Sequence, residues 1–275
     1  MSLNVKVTSG NKGSNPGGEC FLYDGQGRQL FNAYFKYCHS AKIVGKSVLI
    51  AKNQPIYEAI TLQLAQKIGL RTPKFYVLLN RDRSVSFDGW KNFKLNDPAN
   101  RDFYFVSKMM YKPKPTSNVD GVREALSKDA VYLESLLVAD VINKAQNYIY
   151  FPLDDGGNGY VDYIDLGCSF VHAVNGIMKL SPKVDNNCCH KEVKRMRNAL
   201  KGKSVICAEN TDIVSLEGLA NEIYSGDIPT LNPLGKKPLK ELLIGSELEE
   251  IHNYIVCGLH ESIKEFEKRK LLMSD

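Results

Sequence analysis

The feature that most constrains this fold is a glycine-rich segment, Ser9 to Gly18, with four glycines in ten residues. A strand-like run follows it and ends at Tyr34-Phe35-Lys36. Glycine lets a backbone N–H group approach an anion closely because it has no Cβ, and the strand lysine adds a positive charge. This order is typical of a loop that holds phosphate groups. A plain flexible loop is the alternative, since glycine-rich segments are common.

The N-terminal part of the chain predicts strands and one helix. Asp24-Gly25-Gln26-Gly27 separates two strand-like runs and indicates a hairpin turn. Pro55 suits the first turn of a helix that runs to about Ile68, and Gly69 suits the cap that ends it. The apolar face of this helix consists of Ile56, Ile60, Leu64 and Ile68. Two further strands are predicted over 75–79 and 103–110.

A lysine- and proline-rich stretch at 112–118 predicts a linker between two lobes. The predicted fold class is therefore α+β and bilobal. Residues 1–112 form a strand-rich N-terminal lobe that would bind nucleotide. Residues 113–275 form a mostly helical C-terminal lobe that would complete the catalytic site.

The sequence predicts few strands in the C-terminal lobe. Two strands, 148–151 and 160–164, are joined by an aspartate- and glycine-rich turn at 154–159. The end of the chain predicts a long amphipathic helix, with Ser246 and Glu249 as its capping box.

Lys36 and Glu58 are predicted to form an ion pair. Glu58 lies in the first turns of the 55–68 helix, outside its apolar face, where a carboxylate can hold the lysine and aim it at phosphates. The alternative is that Glu58 only complements the helix dipole.

Three polar residues of the C-terminal lobe complete the predicted site. Asp165 follows an apolar strand and precedes Leu166-Gly167, which puts a carboxylate where a metal ligand is needed next to phosphates; a simple Asp-x-Gly turn is the alternative. Asn147, on the other side of the hairpin, supplies a neutral oxygen ligand. Asp140 is predicted to orient an attacking hydroxyl, or else to cap a helix.

Composition narrows the functional classes. No run of 18 apolar residues is present, which argues against a transmembrane helix. The seven cysteines are irregularly spaced, which predicts reduced thiols and a cytoplasmic protein, with delivery to another cell left open. The basic run at 191–203 is interpreted as a solvated helix face, so no nucleic-acid partner is expected. Cys188-Cys189-His190 is not expected to bind metal, because no second pair stands nearby at ligand spacing.

These motifs together resemble the atypical kinases related to HipA toxin kinases and to phosphatidylinositol 3- and 4-kinases. The resemblance covers roughly residues 8–176. The chain looks most like bacterial members whose phosphate loop reads Gly-Ser-Asn-Pro-Gly-Gly, which is Gly13 to Gly18 here. The lysine of that family matches Lys36, its helix glutamate matches Glu58, and its Ile-Asp-x-Gly metal motif matches Ile164 to Gly167.

The resemblance implies an ATP- and Mg²⁺-dependent kinase that phosphorylates a hydroxyl group, that of a serine or threonine of a protein acceptor. The nucleotide would contact Lys36 and loop residues Gly13, Ser14, Asn15, Gly17 and Gly18. Asp165 and Asn147 would bind the metal, and Asp140 would orient the acceptor. Adenine would lie against the strand at 103–110.

The catalytic loop departs from this family. HipA-like enzymes carry Asp-Arg-His-x-x-Asn, whereas this chain has Ile142-Asn143-Lys144-Ala145-Gln146-Asn147. The aspartate five residues before the asparagine is absent, and Asp140 would have to replace it. A pseudokinase that binds nucleotide or a partner without turnover is therefore an alternative. A lipid or small-molecule kinase and an adenylyltransferase on the same scaffold are further alternatives.

Overall fold

A computed structural model of the 275-residue chain describes residues 2–10, 16–38, 51–110, 119–129, 132–133, 136, 141, 147–153, 159–166, 218, 222, 226–232, 234–253 and 256. The predicted linker at 112–118 lies outside these residues, as does most of the predicted turn at 154–159. None of the helices in this described part of the chain is long and apolar enough to span a membrane.

The described strands form one large sheet and one hairpin. Eight strands pair in the order β10-β9-β4-β6-β3-β2-β1-β5, and β7 pairs with β8. The strands are β1 (Leu3–Val7), β2 (Gly17–Asp24), β3 (Gln29–Lys36), β4 (Phe75–Leu79), β5 (Val85–Asp88), β6 (Phe103–Lys108), β7 (Tyr148–Phe151), β8 (Tyr160–Tyr163), β9 (Asp227–Leu231) and β10 (Gly235–Pro238).

Helices are fewer in the described residues. They are α1 (Gln54–Lys67), α2 (Val119–Lys128) and α3 (Leu239–Leu242), with residues 245–253 also helical. Short 3₁₀ turns cover Ala51–Asn53 and Trp90–Phe93. This mixture of a strand-rich sheet with helices confirms the predicted α+β class.

The centre of the sheet is buried on both faces, as β6 illustrates. Successive side chains of a strand point to opposite faces. Phe103 and Phe105 join a first core, which contains the apolar residues of α1, α2, the β7–β8 hairpin and 239–251. Tyr104 and Val106 join a second core with β1, β2 and β3 on the opposite face. The continuous apolar sequence of β6 follows from this double burial.

Helix α1 packs in the first core. Pro55 lies in its first turn, and Gly69 follows its end with a φ of +90°, a conformation that glycine adopts without strain. The N–H of Leu70 donates to the carbonyl of Ala65, and that of Gly69 to Gln66, as in a Schellman cap. The predicted end of the helix is confirmed. The predicted apolar face was too narrow, because Tyr57, Ala59 and Leu62 are buried as well.

The C-terminal part returns to the sheet, which the sequence did not predict. Strand β9 pairs in parallel with β4, with Val77 opposite Thr230 and Leu78 opposite Leu231, and β10 extends the edge. The expectation that strands after residue 113 occur only in the 148–164 hairpin is therefore wrong. Strand β5, which lies between the strands predicted at 75–79 and 103–110, was also missed.

The predicted capping box of the last helix was misplaced. The carboxylate of Glu247 accepts a hydrogen bond of 3.2 Å from the backbone N–H of Ile244, so this residue pair forms the capping contact. The helix begins at residue 245, before the predicted Ser246 cap.

Candidate functional site

Strand β3 places Lys36 on the face of the sheet that α1 covers. Ala33 and Phe35 belong to the second core, so the alternation of the strand turns Lys36 to the other face. Lys36 lies directly opposite Phe105 of β6, and its Nζ is 5.7 Å from the centre of the Phe105 ring. The lysine thus projects into the space between the sheet and α1, with an aromatic ring as one wall.

Two carboxylates bind the Lys36 ammonium. Lys36 Nζ donates to Glu58 Oε1 at 2.7 Å and to Asp165 Oδ1 at 2.9 Å. The side chains of Lys36 and Glu58 are 12% and 2% exposed, whereas that of Asp165 is 38% exposed. Residues 129 positions apart are therefore joined through one ammonium, and Asp165 is the accessible member of the group.

Backbone hydrogen bonds hold Asp165 beside Asn147. Asp165 follows the end of β8, and Asn147 immediately precedes β7, its antiparallel partner. The carbonyl of Asn147 accepts the N–H of Ile164 at 2.9 Å and that of Asp165 at 3.2 Å. The hairpin therefore brings the two predicted metal ligands together. Asn147 is buried.

The electrostatics of the group follow from its burial. Burial alone would lower the pKa of the Lys36 ammonium, but the carboxylates of Asp165 and Glu58 outweigh that effect and raise it well above its usual range. Burial raises the pKa of the Glu58 carboxyl to about 7, against the attraction of Lys36 and with the repulsion of Asp165. Lys36 consequently remains charged, and Glu58 ionises less readily than an exposed glutamate.

Glycines bring the end of the predicted phosphate loop against Lys36. Gly17 lies opposite Lys36 in the β2–β3 ladder. A Cβ on Gly17 would collide with the carbonyl oxygen of Phe35, and one on Gly18 would collide with that of Ser9. Only glycine permits this close backbone approach. The other predicted loop residues, Gly13, Ser14 and Asn15, lie outside the described residues.

Asp140 also lies outside the described residues, so its role remains a prediction. Cys188-Cys189-His190 also lie outside the described residues, so the expectation that they do not bind metal remains a prediction. Within the described ranges, no group of three or more His, Cys, Asp or Glu side chains is placed to hold a metal ion. A cation at Asp165 and Asn147 would need further oxygen ligands, such as substrate phosphates and water.

An ion pair that the sequence analysis missed supports the hairpin. Arg71 Nε donates to Asp162 Oδ1 at 2.7 Å, and the Arg71 guanidinium lies 3.9 Å from the centre of the Tyr160 ring. The Arg71 carbonyl accepts the N–H of Tyr163 at 2.8 Å. Arg71 thereby links the segment after α1 to the strand that leads into Asp165. The sequence signal that could have indicated this ion pair is Asp162, an aspartate in the middle of an apolar and aromatic strand. The fold buries this residue.

Comparison with solved structures finds distant similarity to protein kinases. One is the Rio2 kinase of Chaetomium thermophilum, solved as an ADP/Mg²⁺-phosphoaspartate complex, with 12% identity and a TM-score of 0.40 over 96% of this chain and 72% of that one. Another is the proinflammatory kinase CtkA of Helicobacter pylori, with 12% identity and a TM-score of 0.37 over 100% and 99% of the two chains.

A third is the MAP kinase LmaMPK10 of Leishmania major, with 10% identity and a TM-score of 0.28 over 96% of this chain and 82% of that one. No protein-family model and no curated protein matches the chain. In the described residues, a large strand-rich sheet is accompanied by helices, which agrees with the predicted α+β class.

Proposed function

We propose that this protein is an ATP- and Mg²⁺-dependent phosphotransferase that phosphorylates a serine or threonine hydroxyl of a protein, of the HipA-like and phosphatidylinositol 3- and 4-kinase-like type. The observation that carries the proposal is the Lys36 ammonium, bound by Glu58 from the helix and by Asp165 from the hairpin. Phosphoryl transfer relies mainly on positioning and charge neutralisation, and this group supplies both.

Lys36 would bind the phosphates of ATP. Glu58 holds the ammonium from the buried side, and the more exposed Asp165 carboxylate is the partner that phosphate oxygens can replace or join. Gly17 and Gly18 bring the backbone of the loop to the same place. The pairing with Glu58 lets Lys36 keep its direction while its other partner changes.

Asp165 and Asn147 fit a magnesium site. Their side chains offer a carboxylate and an amide oxygen, both hard ligands, and their backbones are hydrogen-bonded to each other. Mg²⁺, when bound, would neutralise charge on the phosphates. The small number of protein ligands suits Mg²⁺, which usually keeps several waters and substrate oxygens.

In the proposed reaction, the acceptor hydroxyl oxygen forms a bond to the γ-phosphorus, and the bond between that phosphorus and the β–γ bridging oxygen breaks, so that ADP leaves. Asp140 would orient the hydroxyl and accept its proton. This assignment rests on the sequence and its resemblance. Adenine would lie against the β6 strand, also on that basis.

The test measures ATP binding by calorimetry and Mg²⁺-dependent ADP production, for wild type and Asp165→Asn. Asp120→Asn, an exposed aspartate on α2, is the matched control. We expect turnover in wild type and control and its loss in Asp165→Asn. ATP binding without ADP in the presence of candidate protein acceptors would favour the pseudokinase. A product heavier by AMP would identify an adenylyltransferase, and absent ATP binding would overturn the proposal.

A further inference from the structure

Glu247 is a buried carboxylate that joins the C-terminal part of the chain to the start of helix α1. It is 1% exposed. Its Oε1 accepts a hydrogen bond of 2.7 Å from Asn53 Nδ2 and another from the hydroxyl of Tyr57. Its Oε2 accepts the backbone N–H of Ile244. A buried carboxylate is stable only when donors surround it in this way, so the position of each donor depends on Glu247.

Two of these donors belong to the first turns of α1 or the residue just before it. Asn53 precedes the helix and Tyr57 lies within it, next to Glu58 in sequence. Neighbouring helical side chains point about 100° apart, since a turn contains 3.6 residues. Glu247 therefore contacts one side of the first turns of α1, through Tyr57, while Glu58 contacts Lys36 from a different side of the same turns.

Other contacts fix the C-terminal part of the chain to α1 and to the sheet. Gln63 Nε2 donates to the carbonyl of Asp227 at 2.7 Å, and Lys67 forms an ion pair with Glu222. Strand β9 pairs with β4 beneath the helix. Three C-terminal residues thus contact α1, with Glu222 at Lys67, Asp227 at Gln63 and Glu247 at Tyr57, the neighbour of Glu58 in sequence.

We propose that Glu247 is a positioning residue for the phosphate-binding lysine. Through its hydrogen bonds to Tyr57 and Asn53, Glu247 fixes the rotation of the first turns of α1 about the helix axis and their distance from the sheet. This keeps Glu58 within hydrogen-bond distance of Lys36. This inference rests on the proposed function for its catalytic consequence. The geometric part, that Glu247 controls the Lys36–Glu58 contact, stands independently of what the site binds.

The alternative is a general brace that stabilises the fold without any specific effect on Lys36. A matched variant separates the two. Thr61→Val removes a buried hydroxyl that binds the Tyr57 carbonyl at 3.1 Å, so it perturbs the same helix without touching Glu247. Tyr57→Phe removes only the hydroxyl that donates to Glu247. Glu247→Gln keeps the shape of the side chain and removes its charge.

The first measurement is the ¹H–¹⁵N signal of the Lys36 ammonium, identified by its loss in Lys36→Arg. A buried ammonium held by two carboxylates should exchange its protons slowly enough for detection. We expect Tyr57→Phe and Glu247→Gln to shift or broaden this signal, whereas Thr61→Val leaves it in place. An unchanged signal in folded Tyr57→Phe would overturn the proposal, even if Glu247→Gln does not fold.

The second measurement is the KM for ATP and kcat. Because a misplacement of about 1 Å by a change away from the chemistry can cost about a hundredfold in rate, we expect Tyr57→Phe to raise the KM for ATP or lower kcat by about tenfold or more. Thr61→Val should leave both near the wild-type values at a temperature where each variant is folded. Equal effects in both variants would assign Glu247 a structural role only. If wild type neither binds ATP nor produces ADP, the proposed function fails, and the ammonium signal still decides the role of Glu247.

Discussion

Gly17 lies directly opposite Lys36 in the ladder between β2 and β3. The end of the glycine-rich loop and the strand lysine are therefore neighbours in the sheet, at the open end of the β2–β3 hairpin. A side chain at position 17 has no room because the carbonyl of Phe35 lies where its Cβ would be. The position of the loop and the position of the lysine consequently depend on each other.

Gly17→Ala should lower both stability and nucleotide affinity. The added methyl group must push apart β2 and β3, and such overpacking costs about 1–3 kcal/mol. Denaturant unfolding and ATP calorimetry measure the two effects. Gly245→Ala is the control, because nothing lies within 4 Å of a Cβ at that helical position. Equal stability of Gly17→Ala and wild type would contradict the close approach of the strands.

Lys36→Met should destabilise the fold as well as remove phosphate binding. Removing one partner of a buried pair leaves an uncompensated charge and costs about 3–5 kcal/mol, here at the 2% exposed Glu58. The double variant Lys36→Met/Glu58→Gln should recover much of that stability but no activity. Lys6→Met, which removes an exposed lysine of β1, is the control. If the double variant is no more stable than Lys36→Met, the unpaired Glu58 carboxylate is not the cause of the lost stability.

Asp129→Asn should change how stability depends on pH. Burial raises the pKa of the Asp129 carboxyl above its ordinary value of 3.8, although Tyr163 donates its hydroxyl to Asp129 Oδ2 at 2.7 Å. A raised folded-state pKa means that stability is fully present below the unfolded value and is lost as pH rises through the folded value. The variant should therefore gain stability relative to wild type from pH 4 upwards and then reach a plateau.

Denaturant unfolding across pH 3–8 measures this difference. Asp120→Asn, at an exposed position of α2, the helix that ends just before Asp129, is the control and should show no comparable rise. A stability difference that is flat with pH for Asp129→Asn would contradict the raised pKa.

Arg71→Lys should weaken the support of the β7–β8 hairpin. Lysine cannot stack its charge on Tyr160 as the planar guanidinium does, and it is a poorer partner for the buried Asp162 carboxylate. Because Arg71 is more than half exposed, we expect a modest loss of about 1 kcal/mol. Thermal unfolding measures it, with Arg123→Lys as the exposed control. A larger loss in Arg123→Lys would argue against the special role of Arg71.

Helices and strands were predictable where the residues that specify them are close together in the sequence. Gly69 ends α1 because a Schellman cap favours glycine, and strand β4 occupies the predicted 75–79 because its apolar run is short and bounded. The Lys36–Glu58 contact was predicted from the order of loop, strand and helix alone. Asp165 at the end of its strand was predicted from the Asp-x-Gly pattern.

Long-range pairing was not predictable in the same way. Strand β9 carries Pro229, which weakens its strand signal, and its pairing with β4 joins residues about 150 positions apart. The burial of Glu247 was hidden as well, because a glutamate near a helix start usually faces solvent. Local composition holds no information about such partners.

The sequence by itself determined the chemical groups and their order: a glycine-rich loop, a strand lysine, a helix glutamate and a strand-end aspartate. Tertiary structure decided that one ammonium bridges both carboxylates, that the C-terminal part completes the sheet, and that Glu247 holds the start of α1. The reason is physical. Propensity and alternation act between near neighbours, whereas burial of a charge depends on every segment that surrounds it.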